Sequence, residues 1–153
     1  MVSWCYDTTQ VVILAAVDNS KQAHDVMREA QQLGADLHEP VDAIHVLTRE
    51  TLVSVAEVEV GDQPLVENYE VKEYVSRIVT NAVQDSSLPE PQTTVRVGDP
   101  ADEIASYASE ADARYIVIGG GKRSATGKAL FGSVTQRVIF QSPVPVLTVG
   151  LTT

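Results

Sequence analysis

The run Val11-Val12-Ile13-Leu14-Ala15-Ala16-Val17 is apolar at every position instead of alternating. That is the pattern of a strand covered on both faces, as in a parallel sheet. Asp18-Asn19-Ser20 then supplies side chains suited to capping a helix, and from Lys21 the apolar positions Ala23, Val26, Met27, Ala30 and Leu33 recur at three and four residues. This predicts a helix that Gly34 ends. The unit repeats: Val41 to Leu47 reads as a second strand, and Val71, Tyr74, Val75, Ile78, Val79 and Ala82 mark a second helix that stops before Pro89. Thr93 to Val97 reads as a third strand. Gly98-Asp99-Pro100 predicts a turn, an N-cap at Asp99 and proline at the first helical position, with Ile104, Ala105 and Ala108 facing inward. Tyr115 to Ile118 is the fourth strand; Val134, Val138 and Ile139 carry a short fourth helix; Val144 to Val149 is the last strand, with Pro145 suited to its start or to an edge. Between Thr48 and Pro64 the valines 53, 55, 58 and 60 keep no single period, which predicts a flap or a short hairpin.

Strands alternating with helices specify an α/β fold, a parallel sheet with helices on both faces. Ligands are expected at the carboxyl ends of the strands near the switch point, here the ends of the first and fourth strands. At 153 residues the chain has the size of one domain. It divides into an N-terminal extension, 1–10, and a domain over 11–153. The single Cys5 cannot form an internal disulfide, and no leader or long apolar span precedes the first strand, so a cytoplasmic location is expected.

Charge changes the picture. The formal net charge is -10, yet all 21 acids precede Arg114, and the remainder carries five cations (Arg114, Lys122, Arg123, Lys128 and Arg137) and no carboxylate. The acidic balance argues against nucleic acid as a partner, because phosphate backbones would be repelled. Nor is a membrane partner expected. Acid-rich, lysine-poor surfaces also suit a salty cytoplasm, and this halophile-like reading covers residues 1–113. The basic end is a candidate anion site: Gly119 to Ser133 sets three cations among five glycines directly after the fourth strand.

Familiar phosphate loops do not fit that segment. A Walker-type loop needs four residues before its Gly-Lys pair, and Gly121 to Lys128 has five, followed by Ala129 without a hydroxyl for magnesium. The dinucleotide fingerprint fails because Ala15-Ala16-Val17-Asp18 puts no glycine after the first strand. Gly132-Ser133 is the stronger candidate. There the amides of Ser133, Val134 and Thr135 open a helix and two hydroxyls can donate, while the bland alternative is helix capping by Ser133. Asp18 reads as an N-cap and Val46 as a core valine. His24, His38 and His45 lie on separate elements and make no metal cluster; His45 reads as a packed strand residue.

The first strand ending in Val17-Asp18-Asn19-Ser20, the second ending in Ile44-His45-Val46, the Gly98-Asp99-Pro100 turn and the segment from Ile118 to Val149 together resemble the universal stress protein family. The most specific part is Phe131-Gly132-Ser133-Val134-Thr135-Gln136-Arg137-Val138 followed by Ser142-Pro143-Val144-Pro145-Val146-Leu147. The resemblance implies a Rossmann-like, five-stranded parallel sheet in the order 3-2-1-4-5, a homodimer paired through the fifth strand and, in one branch, ATP binding. That branch's motif is glycine, two residues, glycine, nine residues, glycine, then serine or threonine. Laid on this chain it begins at Gly119 and ends at Gly132-Ser133, and its middle glycine falls on Lys122, a departure. Gly120 and Gly121 stand one and two positions earlier, and a lysine ammonium itself attracts phosphate.

The expectation is a dimeric stress protein that binds ATP, with magnesium, or a related nucleotide as a regulatory ligand and is not a committed enzyme, since no positioned general base is apparent. The resemblance implies Asp18 at the nucleoside end and a backbone contact from Val46 to the base. Gly119, Gly121, Lys122, Arg123, Gly132, Ser133, Val134 and Thr135 are expected around the phosphates. The alternative is a nucleotide-free interaction module of the same family; a hydrolase on the same fold is a third reading.

Overall fold

A computed structural model of the protein describes residues 11–56, 68–120, 122–123 and 129–150, with 56, 122–123 and 129–130 described by their backbone alone. The proposed extension 1–10, Cys5, the second half of the 48–64 stretch, Gly121, Lys128 and the last three residues therefore lie outside the described residues.

The first apolar run forms β1 (Val12–Ala16), whose Ile13, Leu14 and Ala15 have no exposed surface. It pairs in parallel with β2 (Val41–Leu47) on one side and β4 (Ala113–Gly119) on the other. β3 (Gln92–Val97) extends the sheet beyond β2, and β7 (Val146–Val149) beyond β4. The order is β3-β2-β1-β4-β7, which is 3-2-1-4-5 counted along the five parallel strands. Pro145 stands just before β7, where it donates nothing to the ladder but accepts from Ile116 N at 3.0 Å.

Side chains alternate between two cores. Ile13, Ala15, Ala43 and Leu47 face α1 (Ala23–Leu37), α2 (Arg49–Ala56) and α3 (Tyr69–Ala82). Leu14, Ile44, Ile116 and Ile118 face α4 (Pro100–Glu110) and α5 (Ser133–Gln141). Each large aliphatic side chain so buried contributes about 1.5–3 kcal/mol.

The α4 start is built as the sequence predicts: Asp99 is the N-cap, its Oδ1 accepts from Asp102 N at 3.0 Å, and Pro100 opens the helix. Two helix ends differ from expectation. Gly34 does not end α1. The helix runs on to Leu37, and His38 closes it in the left-handed region at φ 56°. Gly34 is needed inside the helix because a Cβ there would lie 2.8 Å from Glu39 O and from Val41 Cγ2. Nor do Asp18 and Ser20 cap α1 through their side chains, since the helix begins only at Ala23. The stretch after Leu47 is neither flap nor hairpin over 49–56 but the helix α2. Thr48 Oγ1 accepts from Thr51 N at 3.3 Å, Leu52 is buried and Val53 is exposed. One buried position among the residues of this two-turn helix whose burial is described leaves no period to read. A further addition is the small antiparallel pair β5 (Lys122–Arg123) and β6 (Ala129–Leu130) inside the glycine-rich segment.

Candidate functional site

β1 and β4 lie side by side, but the chain leaves β1 toward β2 and leaves β4 toward β7. The divergence opens a crevice of about 390 Å³ at the carboxyl ends of the strands. Its apolar floor comes from the ends of β1, β2 and β4: Ala16, Val17, Ile44, Val46 and Ile118. Asp18, Ser20 and Gln22 wall one side, Pro100 and Ile104 of α4 another, and Gly119 with Gly132 to Thr135 the third. Seven of the ten site residues expected from sequence, namely Asp18, Val46, Gly119, Gly132, Ser133, Val134 and Thr135, thus share one cavity.

Asp18 sits in an Asx-type turn in which Ser20 N donates to its Oδ1 at 3.0 Å, and Ser20 Oγ accepts in turn from Gln22 N at 3.2 Å. The turn holds the carboxylate exposed at the rim of the cavity. Behind it His45 is buried, its Nδ1 donating to Val17 O at 2.6 Å and its ring edge-on to Tyr74. Because a carbonyl only accepts, Nδ1 carries the hydrogen. His45 is therefore both the packed strand residue read from sequence and a lining group of the crevice.

α5 points its amino end at the cavity. Its N-cap is Gly132, which makes no side-chain capping bond, and the first intrahelical bond runs from Gln136 N to Gly132 O. The amides of Ser133, Val134 and Thr135 find no acceptor among the described residues. They sit at the positive end of the helix dipole. Ser133 does not cap the helix, so that alternative falls. A Cβ placed on Gly132 would meet nothing within 4 Å. One expectation is corrected: the Thr135 hydroxyl is not a free donor, because it is spent on Gly119 O at 2.7 Å.

The basic tail also resolves into parts. Arg114 makes a bidentate pair with Glu39, with Nε at 2.7 Å from Oε1 and Nη2 at 2.6 Å. Arg137 bridges Asp99 at 2.7 Å and Asp102 at 3.0 Å. The bond from Arg137 holds the Asp99 carboxyl below its ordinary value, helped by the Asp102 amide, and raises Arg137 in turn. These two cations serve acids far upstream. Of the other three cations, Lys128 lies outside the described residues, and Lys122 and Arg123 have their backbone in β5, paired with Leu130 and Ala129.

Sequence reasoning did not assign Ser20, Gln22, Pro100 and Ile104 to the cavity. Pro100 and Ile104 were legible as a helix start and an inward face, but not as a wall. For Gln22 no sequence signal exists, since its role depends on residues about a hundred positions away.

The family model for the universal stress protein family matches residues 12–150. A universal stress protein of Methanothermobacter thermautotrophicus is 46% identical over 52 residues, 34% of this chain and 35% of that protein. One of Mycolicibacterium smegmatis is 41% identical over 68 residues, 44% of this chain and 52% of that protein. The matched stretches thus span about a third of one relative and about half of the other. Among solved structures, the universal stress protein of Archaeoglobus fulgidus in complex with dAMP is 27% identical, covers 92% of this chain and 98% of its own, and superposes with a TM-score of 0.63. With the sheet order, the crevice at the switch point and a family match over nearly the whole length, this chain belongs to the universal stress protein family.

Proposed function

We propose that the crevice binds ATP or a related adenine nucleotide as a regulatory ligand, and that the protein senses it instead of turning it over rapidly. The observation that carries this reading is the uncapped amino end of α5, whose three amides and open space at Gly132 face the same cavity as the Asp18 carboxylate. A helix terminus of this kind attracts phosphate, an apolar floor accepts a base, and an exposed carboxylate accepts hydrogen bonds from ribose hydroxyls or a base amine. In sequence Lys122 and Arg123 follow Gly119 by three and four residues and supply positive charge that would favour a phosphate. Asp18 is the one carboxylate among the described lining residues, so magnesium would arrive on the phosphates, not in a protein cage. The dAMP complex of the Archaeoglobus relative supports the class of ligand. We further propose a homodimer through the edge strand β7, where Leu147 is 41% exposed and Phe140 on the neighbouring α5 is 87% exposed.

The test is titration calorimetry with ATP and magnesium at high salt, paired with thermal shift. A saturable heat and a raised Tm are expected; no heat and no shift at millimolar nucleotide would leave the nucleotide-free interaction module as the reading. ATP and ADP quantified after overnight incubation check the non-enzymatic part, with little ADP expected.

A further inference from the structure

Gly119 opens the glycine motif and lines the crevice. Freedom of the backbone is not what this position requires. Among the described glycines the left-handed side of φ is occupied only at Gly98 and Gly150. Gly119 is instead an ordinary last residue of β4, in register with Val149 of β7. What a side chain would meet is Gln22: a Cβ on Gly119 would lie 2.6 Å from Gln22 Oε1 and 3.5 Å from Gln22 Cβ. On the other side, a Cβ on Gly150 would lie 3.4 Å from Gln22 Cγ. Gln22 Nε2 donates to Gly150 O at 3.0 Å. The Gln22 side chain is thus seated between the end of β4 and the residue that follows β7, while the backbone N–H of Gln22 is tied through Ser20 to Asp18.

We propose that Gln22 is a positioning residue of the crevice: it occupies the space left by Gly119 and holds the entry to the 119–132 segment in register with the Asp18 turn. The neighbouring bonds point the same way. Gly120 N donates to Val149 O at 2.8 Å and Thr135 Oγ1 donates to Gly119 O. The Asp18 turn, the start of the anion segment and the amino end of α5 are therefore linked through Gln22 and the Gly119 it packs against. A shift of Gln22 moves the phosphate end of the site relative to the nucleoside end. The assignment of ends rests on the nucleotide reading above, whereas the seat of Gln22 against Gly119 does not.

Two measurements test this. The first is a thermal double-mutant cycle without ligand, using Gly119→Ala, Gln22→Ala and the pair. Gly119→Ala should displace the carboxamide from Gly150 O and lower Tm by roughly 2–4 °C, the cost of one hydrogen bond in a chain of this size. In the Gln22→Ala background the same substitution should cost nothing measurable; an equal loss in both backgrounds would overturn the seat. The second is calorimetry on Gln22→Met, which fills similar space but cannot donate to Gly150 O. ATP affinity should fall about tenfold and adenosine affinity less than about twofold. Equal losses for both ligands, or none, would overturn the positioning role. If the native protein binds neither ligand, the nucleotide reading fails, and the seat still stands or falls on the thermal cycle.

Discussion

Thr135→Val separates two uses of one hydroxyl. Thr135 is 7% exposed and its Oγ1 donates to Gly119 O at 2.7 Å, tying the first turn of α5 to the end of β4. Valine has nearly the same shape, so no cavity forms; what is lost is the hydrogen bond, and the Gly119 carbonyl is left without its donor. A net bond contributes about 0.5–1.5 kcal/mol and an orphaned buried acceptor costs about 1–3 kcal/mol. Gly119 is only half-buried, so water recovers part of the penalty, and about 1–2 kcal/mol is expected. At about 2–4 °C per kcal/mol for a chain of this length, Tm should drop by roughly 2–8 °C. The assay is thermal unfolding without ligand at fixed protein concentration, since dimerisation would shift the midpoint by mass action. Thr135→Ser, which keeps the hydroxyl, should hold most of the stability. The reasoning is refuted if Thr135→Val melts with the native protein while its ATP affinity falls about tenfold, because the hydroxyl would then be spent on the ligand.

Other perturbations test other parts. Gly132→Ala places a methyl group in space that the described residues leave empty; it should cost less than about 1 kcal/mol in the free protein but lower ATP affinity about tenfold or more, and unchanged affinity would remove the phosphates from that space. Tyr107→Phe deprives the buried Asp42 carboxylate of a donor at 2.5 Å while Thr94 keeps the other at 2.8 Å, so urea unfolding should show a loss of about 1.5–3 kcal/mol. Burial, and then the bond to Asp42, raise the Tyr107 phenol above its ordinary value. Stability from the neutral phenol is therefore complete below about pH 10, is lost as pH rises through the higher folded value, and this alkaline limb should flatten in Tyr107→Phe. Leu147→Asp puts charge on the exposed side of β7 and should yield a monomer by sedimentation; an unaltered dimer would move the interface elsewhere.

Features decided by neighbours in sequence were legible. The unbroken apolar runs announced a doubly covered parallel sheet, and Asp99-Pro100 announced α4, because burial and capping act within a few residues. What was not legible depended on distant partners. Gly34 reads as a helix stop until Val41 and Glu39 are seen crowding its missing side chain. Helix α2 hides because Leu52 is its one buried position among the residues whose burial is described. Arg114 and Arg137 read only as surface cations of the acid-free tail; their partners, Glu39 75 residues upstream of one and Asp99 38 residues upstream of the other, come from the fold. The amides of Ser133, Val134 and Thr135 could be named because they open a helix, and Asp18, Val46, Gly119 and Gly132 because the family resemblance marks them; Gln22 could not, because only the fold brings Gly119 and Gly150 to it.

Lys122 is then the sharpest remaining question, and its backbone narrows it. A glycine at the middle position of the motif would matter most if the chain there needed a left-handed conformation, which costs a lysine roughly 1–2 kcal/mol. Lys122 is instead paired across β5 and β6 with Leu130. A strand-paired backbone is extended and open to any side chain. The conformational objection to lysine falls, and its charge is what distinguishes it from the glycine. Under the nucleotide reading, Lys122→Gln and Lys122→Gly should therefore weaken ATP by similar amounts, about tenfold for one charge-assisted contact, with the loss shrinking at high salt. Calorimetry at two salt concentrations reads both quantities. Tighter binding in Lys122→Gly alone would mean that the side chain obstructs the phosphates, and the argument from strand pairing would be wrong.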